Sequence, residues 1–240
     1  NIYLAAGLVY AILPVYTGRE WKTTWPVALA LNLVIILVLL PYFHHLYQDF
    51  SQGMFLHVLG VIGSYGVAIP VFVVTIIGGL ALVYRSGMRW AVPSIMMALG
   101  LWGWTFGGMG ALLDSTITVN QVMHNTQWVV GHFHTYYLMG AVAFTLGYMY
   151  HLITELSKRN ESGISRMAAW LYGLGSAGFL LMFFLSGANS VPRRYATYLP
   201  EWNTYPTVAV VFVLILSVGL LILTLEMLGR LKGAWQGTSG

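Results

Sequence analysis

Residues 27–43, VALALNLVIILVLLPYF, form one continuous apolar run without a single charged side chain. A helix needs roughly 20 predominantly apolar residues to cross a bilayer, and this run supplies most of them. The chain as a whole is 58% hydrophobic and only 8% charged, with a mean hydropathy of +0.74. Its apolar runs are continuous, whereas a membrane β-barrel would show alternation. The sequence therefore predicts an all-α, polytopic transmembrane helical bundle.

The apolar runs divide the chain into seven predicted membrane segments. A partial span is predicted at 1–14, and six full spans are predicted at 26–47, 55–84, 91–113, 127–156, 166–188 and 206–231. Residues 1–240 are expected to form a single transmembrane domain, with 233–240 as a flexible tail. Because the chain opens like the second half of a spanning helix, we expect it to be part of a larger subunit. The glycine-rich run 103–113 predicts close helix approach.

Basic residues collect on one side of the predicted bundle. Nine of the eleven Lys and Arg residues fall on connectors at the same side, which the positive-inside rule makes cytoplasmic. The exceptions are Arg193 and Arg194, which lie together on the outer side. They are either a pair at the lipid interface or the partners of a buried anion. The net charge of +4 does not indicate nucleic-acid binding.

Histidines are unusually frequent at one depth. The chain has seven histidines and no cysteine, so a metal would need histidine or oxygen ligands. His57 and His151 are interpreted as structural. The topology brings the other five together near the outer face: His44, His45, His124, His132 and His134.

The spacing of these histidines limits what they can bind. Residues two apart on a helix point about 200° away from each other, so His132 and His134 should serve two groups on opposite faces. His44 and His45 can converge on one ion only where the helix end is distorted, and copper would still need a third ligand from elsewhere. A heme beside the 127–156 helix would give its propionates as the missing anions at the outer surface.

Three motifs together resemble a known family. HH at 44–45, HNTQWVVGHFH at 124–134 and VPRRY at 191–195 resemble subunit I of the heme–copper oxidases, in its C-terminal half. The form of the second motif is most like the B-type enzymes of bacteria and archaea. The resemblance implies that His44 and His45 are copper ligands. It also implies that His132 is the axial ligand of a high-spin heme and that His134 is an axial ligand of a low-spin heme.

The resemblance also implies contacts at the outer end of the hemes. Arg193 and Arg194 would hold propionates, and His124 would lie beside a propionate of the high-spin heme. Asn120 stands where an aspartate commonly meets a propionate in the family. Two hemes and one copper ion are the implied cofactors.

The implied activity is the reduction of oxygen to water, coupled to proton movement, in a bacterial or archaeal plasma membrane with the metal centre toward the outer side. The implied partners are the remainder of subunit I, a subunit II-type protein for electron entry, cytochrome c or a similar donor, and membrane lipid.

Two other functions compete with this prediction. A nitric oxide reductase would share the same architecture. Val74 favours it, because this residue occupies a position where the family often has Lys or Thr in a proton path. Thr75 is the next residue in the chain. A transporter with intramembrane histidines would show interrupted helices and pseudo-symmetric halves. Neither feature is evident in the sequence.

Overall fold

The computed structural model describes residues 2–49 and 51–237, and within them it is built from α-helices without a β-strand. Helix α6 covers 127–157 and has a π-helical middle, Thr135–Val142. Short 3₁₀ segments occur at Leu40–Leu46 and Pro200–Trp202. The other helices are α1 (Ile2–Thr17), α2 (Trp25–Leu37), α3 (Met54–Val83), α4 (Val92–Ser115), α5 (Ile117–Met123), α7 (Gly163–Ala188) and α8 (Thr204–Gly237).

Most of the predicted spans are long enough and apolar enough to cross a membrane. Among the described residues, four helical segments meet this condition: Met54–Val83, Val92–Ser115, Gly163–Ala188 and Pro200–Gly233. The bent pair Trp25–Leu37 and Leu40–Leu46 makes a fifth. Helix α6, which corresponds to the predicted span 127–156, is long but less apolar because histidines and tyrosines interrupt its apolar sequence. The prediction of an all-α membrane bundle is confirmed.

The predicted span at 26–47 is not one straight helix. The chain bends by 49° between α2 and the 3₁₀ segment that follows it. Pro41 has no N–H to donate to the carbonyl of Leu37, so the α-helical hydrogen-bond ladder cannot continue through this point. The bend places the end of the segment, with its two histidines, on a tighter helix.

The C-terminal helix overlaps the predicted flexible tail at 233–240. Helix α8 continues to Gly237, so the first part of the 233–240 segment is helical. Residues 238–240 lie outside the described part of the chain.

Helix α4 forms the centre of the bundle. Its residues 92–98 are buried throughout, and its small residues lie against α6. A Cβ on Gly103 would come within 2.5 Å of the Met139 Cβ, so only glycine permits this separation between the two helices. The close approach predicted for 103–113 is confirmed. It sets the distance between α4 and the histidine-bearing half of α6.

Candidate metal centre

A large cavity in the described part of the chain is lined by histidines near the helix ends that the sequence assigns to the outer side. Its volume is about 1290 Å³, above the roughly 300–1,000 Å³ usual for a small-molecule site. Five of the seven histidines line it, whereas His57 and His151 do not: His44, His45, His124, His132 and His134. The structure therefore brings together the five histidines for which the topology predicted a common depth.

His44 is buried and held by a hydroxyl group. Its Nδ1 lies 2.7 Å from the Ser64 Oγ, and that hydroxyl donates its own hydrogen to the Gly60 carbonyl at 2.6 Å. Since the serine hydrogen is already used, the bond to His44 must be donated by the imidazole. The other nitrogen, Nε2, is then an unprotonated acceptor, and it is buried without a partner among the described residues. This nitrogen has the form that a metal ligand requires.

His45 lies beside His44 in the 3₁₀ segment. The two ring centroids are 4.1 Å apart and the ring planes differ by 34°. The distorted helix end that two adjacent ligands require is therefore present. Within residues 2–49 and 51–237, no three side chains of the metal-binding types are arranged to hold an ion. A metal ion bound at the histidine pair would therefore need at least one further ligand.

His132 points from α6 toward α4. Its Nε2 lies 3.9 Å from the Asp114 Oδ2, and its ring meets Tyr136 edge-on with centroids 5.4 Å apart. The ring is buried against Gly110, where a Cβ would lie only 2.8 Å from Nδ1. The position of this imidazole therefore depends on the absence of a side chain at 110.

Gly110→Ala is expected to tilt the His132 ring. If His132 is the axial ligand of a high-spin heme, as the resemblance implies, the variant should contain less heme that binds carbon monoxide. The matched control is Gly108→Ala on the same helix, where the nearest atom to a Cβ is the Tyr136 hydroxyl at 3.4 Å. The carbon monoxide difference spectrum of each purified variant measures the effect. Equal spectra for the two variants would show that residue 110 does not position the ring.

His134 points from α6 toward α7. Its ring stacks on Phe183 at a centroid distance of 5.6 Å and meets Phe179 edge-on at 6.4 Å. Its Nδ1 donates to the Val130 carbonyl at 2.8 Å, because a carbonyl can only accept. The Nε2 atom is again left as the acceptor. His132 and His134 thus contact different neighbouring helices, as their spacing predicted.

The remaining predicted residues form a polar group at the outer end of the cavity. His124 is buried and its Nε2 lies 3.3 Å from the Asp49 Oδ1. Asn120 donates through Nδ2 to the backbone carbonyl of Asp114 at 2.7 Å, while its Oδ1 is buried without a partner among the described residues. Both side chains line the cavity. They could meet a polar ligand group that enters from the cavity.

Arg193 and Arg194 also line the cavity, and the backbone holds them there. The Arg193 N–H donates to the Asn125 carbonyl at 2.9 Å, and Thr126 pairs with Pro192 in an isolated antiparallel bridge. The connector between α7 and α8 is therefore hydrogen-bonded to the connector between α5 and α6. The arginines keep a fixed position above the histidines of α6.

The charges of these arginines are not neutralised within the described chain. No carboxylate there lies within ion-pair distance of either guanidinium, and the Arg193 Nε is buried without a hydrogen-bond partner. Burial, followed by the charge of Arg194, lowers the pKa of Arg193. An anion that enters the cavity would relieve both effects. A buried Arg193 Nε without a partner favours a role in binding an anion such as a propionate over the alternative of an arginine pair at the lipid interface.

Two further side chains at this site were not predicted from the sequence. Ser64 has no signal beyond its polarity within an apolar span, because its contact with His44 depends on helix packing. Asp114 falls just after the predicted span 91–113 and so was placed in an outer connector. The helix instead extends to Ser115 and buries this carboxylate beside His132, with the Trp128 indole close by but not in hydrogen-bonding geometry.

The π-helical part of α3 changes the interpretation of Val74. Val74 packs against Ala6 and Ala30, and its carbonyl accepts a hydrogen bond from Tyr10 at 2.7 Å. Thr75, the next residue, lines the cavity instead. The π-helical turn after Pro70 therefore directs Thr75 toward the cavity, whereas the sequence position alone pointed to Val74.

The fold and the site define a class of membrane protein. The structure matches a heme-copper terminal oxidase dimer solved by cryo-EM, with a TM-score of 0.83 and 21% sequence identity, over 95% of this chain and 47% of that one. The two proteins therefore share a fold. The profile of the family described as Cytochrome C and Quinol oxidase polypeptide I matches residues 1–222, and the chain belongs to this family. Heme and copper are the cofactors that this family implies.

Curated relatives agree with this membership. Cytochrome c oxidase subunit 1 of Thermus thermophilus is 26% identical over 237 residues, which cover 91% of this chain and 42% of the relative. Cytochrome c oxidase polypeptide 1 of Halobacterium salinarum is 26% identical, over 92% and 37% of the two chains. Cytochrome c oxidase subunit 1 of Candida albicans is 30% identical, over 82% and 38%. The chain thus spans less than half the length of these relatives, as predicted for one part of a larger subunit.

Proposed function

We propose that this chain forms the metal-binding half of the catalytic subunit of a respiratory terminal oxidase that reduces oxygen to water. One observation carries the proposal. A histidine pair in the 3₁₀ segment and two histidines facing different helices line the same cavity. This arrangement suits one copper ion and two hemes, one high-spin and one low-spin.

The residues of the chain hold and orient these groups. His44 and His45 would bind copper, and the orphaned Nε2 of His44 fits that role. His132 would bind the high-spin heme iron from the α4 side of α6. Copper and the high-spin heme, when bound, supply the electron transfer to oxygen. The protein contributes positions and a largely apolar surrounding.

His134 would bind the low-spin heme iron on the α7 side. The two heme ligands are separated in the chain by Phe133 alone. A short covalent connection of this kind favours electron delivery from one group to the other. Phe179 and Phe183 would pack against the low-spin heme as well as the imidazole, because both contact the His134 ring.

Arg193, Arg194, His124 and Asn120 would bind the heme propionates. The support for this is that the guanidinium groups and the buried Asn120 Oδ1 lack partners in the described chain, and all four residues line the cavity. Proton sharing at this end would involve His124 with Asp49, which are already in contact. Asn120 cannot itself hold a proton for exchange.

Arg193→Ala is expected to lower the reduction potential of the heme whose propionate it contacts, by tens of millivolts. A nearby positive charge stabilises the reduced, less positive heme, and 59 mV corresponds to a tenfold change for a one-electron couple. A spectroscopic redox titration measures the shift. Arg85→Ala, an exposed arginine at the opposite end of the bundle, is the control. If the heme potentials of both variants equal those of the wild type, Arg193 does not contact a propionate and the interpretation as a lipid-interface residue is favoured.

The proposed assembly contains more than this chain. The remainder of subunit I would give the third copper ligand and the second ligand of the low-spin heme. A subunit II-type protein would receive electrons from cytochrome c or a similar donor. We propose a bacterial or archaeal plasma membrane for the complex, which is what the resemblance of the HNTQWVVGHFH motif to the B-type enzymes implies. The metal centre would lie toward the outer side, because nine of the eleven basic residues lie at the opposite ends of the helices.

Turnover of the purified complex on oxygen and on nitric oxide tests the choice between the two family activities. Val74 favoured nitric oxide reduction on sequence grounds, but Thr75 lines the cavity in its place, which supports the oxidase. We expect sustained oxygen consumption with water as the product. Nitric oxide turnover without oxygen reduction would replace the oxidase proposal with the alternative.

A further inference from the structure

We infer that Ser64 is a positioning residue for copper: its hydroxyl group fixes the orientation and tautomer of His44 so that Nε2 faces the metal. This inference rests on the proposed function, because it requires copper at His44. Ser64 lies on α3, twenty positions from His44 in the chain, and no sequence motif joins the two.

The directions of the two hydrogen bonds at Ser64 determine the tautomer of His44. Ser64 is 4% exposed and His44 is 5% exposed, so neither can exchange its partner for bulk water. The serine hydrogen is donated to the Gly60 carbonyl at 2.6 Å, and the imidazole Nδ1 lies 2.7 Å from the same oxygen. One hydroxyl has one hydrogen, so only the imidazole can donate in the second bond. This excludes the tautomer in which Nε2 carries the hydrogen.

Close packing between α3 and the 3₁₀ segment brings Ser64 within reach of His44. Gly60 and Gly63 face the 3₁₀ segment, and a Cβ on Gly60 would come within 2.5 Å of the Tyr47 hydroxyl. The segment can therefore lie directly against the helix at the level of Ser64. The short serine side chain then reaches the Nδ1 atom of the imidazole, while Nε2 has no partner among the described residues. Outer hydrogen bonds of this kind orient metal-binding histidines and set their tautomer.

Removing the hydroxyl should release His44 from this arrangement. Without the acceptor, the imidazole can rotate about its Cβ–Cγ bond or adopt the other tautomer, and either change turns a hydrogen toward the metal position. Loss of such an outer contact typically lowers metal affinity by about 10–100-fold. The hemes should be unaffected, because neither His132 nor His134 contacts Ser64 among the described hydrogen bonds.

Ser64→Thr and Ser64→Val test the inference in the full-length subunit assembled in its complex. The two variants have nearly the same shape, but only threonine keeps the hydroxyl. Two measurements are compared with the wild type: the concentration of a Cu(I) chelator that removes half of the copper, and the infrared stretch of carbon monoxide bound to copper after photolysis. Ser176→Ala, a fully buried serine of α7 away from the cavity, is the control.

We expect Ser64→Val to lose copper at about 10–100-fold lower chelator concentration and to shift or split the carbon monoxide band. Ser64→Thr and Ser176→Ala should resemble the wild type in both measurements. If threonine also disturbs the site through its extra methyl group, Ser64→Ala decides: copper loss with both heme spectra intact supports the inference, and unchanged copper overturns it. Wild-type-like behaviour of Ser64→Val also overturns it. A wild-type complex without copper would instead overturn the proposed function itself.

Discussion

His134→Ala is expected to abolish the absorbance of the low-spin heme while copper and the high-spin heme remain. The His134 ring contacts Phe179 and Phe183 of α7, and its Nδ1 donates to the Val130 carbonyl, which leaves Nε2 as the acceptor. Alanine would remove the imidazole that we propose as a ligand of the low-spin heme iron. Reduced-minus-oxidised spectra of the purified complex, with metal analysis, would measure the loss.

His132→Ala should give the complementary result. This ring faces α4 beside Asp114, so its removal should unseat the high-spin heme and abolish carbon monoxide binding while the low-spin spectrum persists. Oxygen reduction should be lost completely in both variants, because one lacks the binding site and the other lacks the electron supply. The spectra separate the two causes.

His151→Ala is the matched control for both variants. It lies on the same helix, about 25 Å from His134 at 1.5 Å per residue, and its Nδ1 contacts the Tyr16 hydroxyl at 3.1 Å. Both hemes should remain in this variant. A full two-heme spectrum in His132→Ala or His134→Ala would show that the corresponding ligand assignment is wrong.

Much of this site followed from the sequence because it depends on local rules. The spans are set by the cost of placing polar groups in hydrocarbon, which composition reports directly. The opposite directions of His132 and His134 follow from helix geometry alone. Proline at 41 could also have indicated the bend before His44, although the angle of 49° depends on contacts with α3.

Other features depend on how distant segments meet, and the sequence contains no local signal for them. His124 contacts Asp49 across 75 positions, and the backbone of Arg193 is fastened to Asn125 across the cavity rim. The position of Thr75 depends on a π-helical turn, which shifts the following residues by one place relative to an ordinary helix. Such a shift reverses which of two neighbouring residues faces the cavity.

Gly63→Ala is expected to displace the 3₁₀ segment Leu40–Leu46 from α3 and, with His44 and His45 as the proposed copper ligands, to remove copper from the complex. A Cβ at this position would overlap the Leu40 Cβ and lie 2.8 Å from the Leu40 backbone carbonyl carbon. Backbone atoms cannot move aside by changing rotamer, so the 3₁₀ segment must shift as a whole. His44 would then leave the reach of Ser64, and His45 would move with it.

Gly66→Ala is the control that separates this displacement from a general effect of alanine. One turn further along α3, a Cβ would meet only the Leu37 Cδ1 at 4.0 Å, which is ordinary contact. Alanine in a helix is intrinsically favoured over glycine by about 0.5–1 kcal/mol, so Gly66→Ala should be neutral or slightly stabilising. Overpacking at Gly63 should instead cost about 1–3 kcal/mol. Thermal unfolding and copper content of the two variants measure the difference. Equal copper content would mean that the separation between α3 and the 3₁₀ segment does not control the metal site.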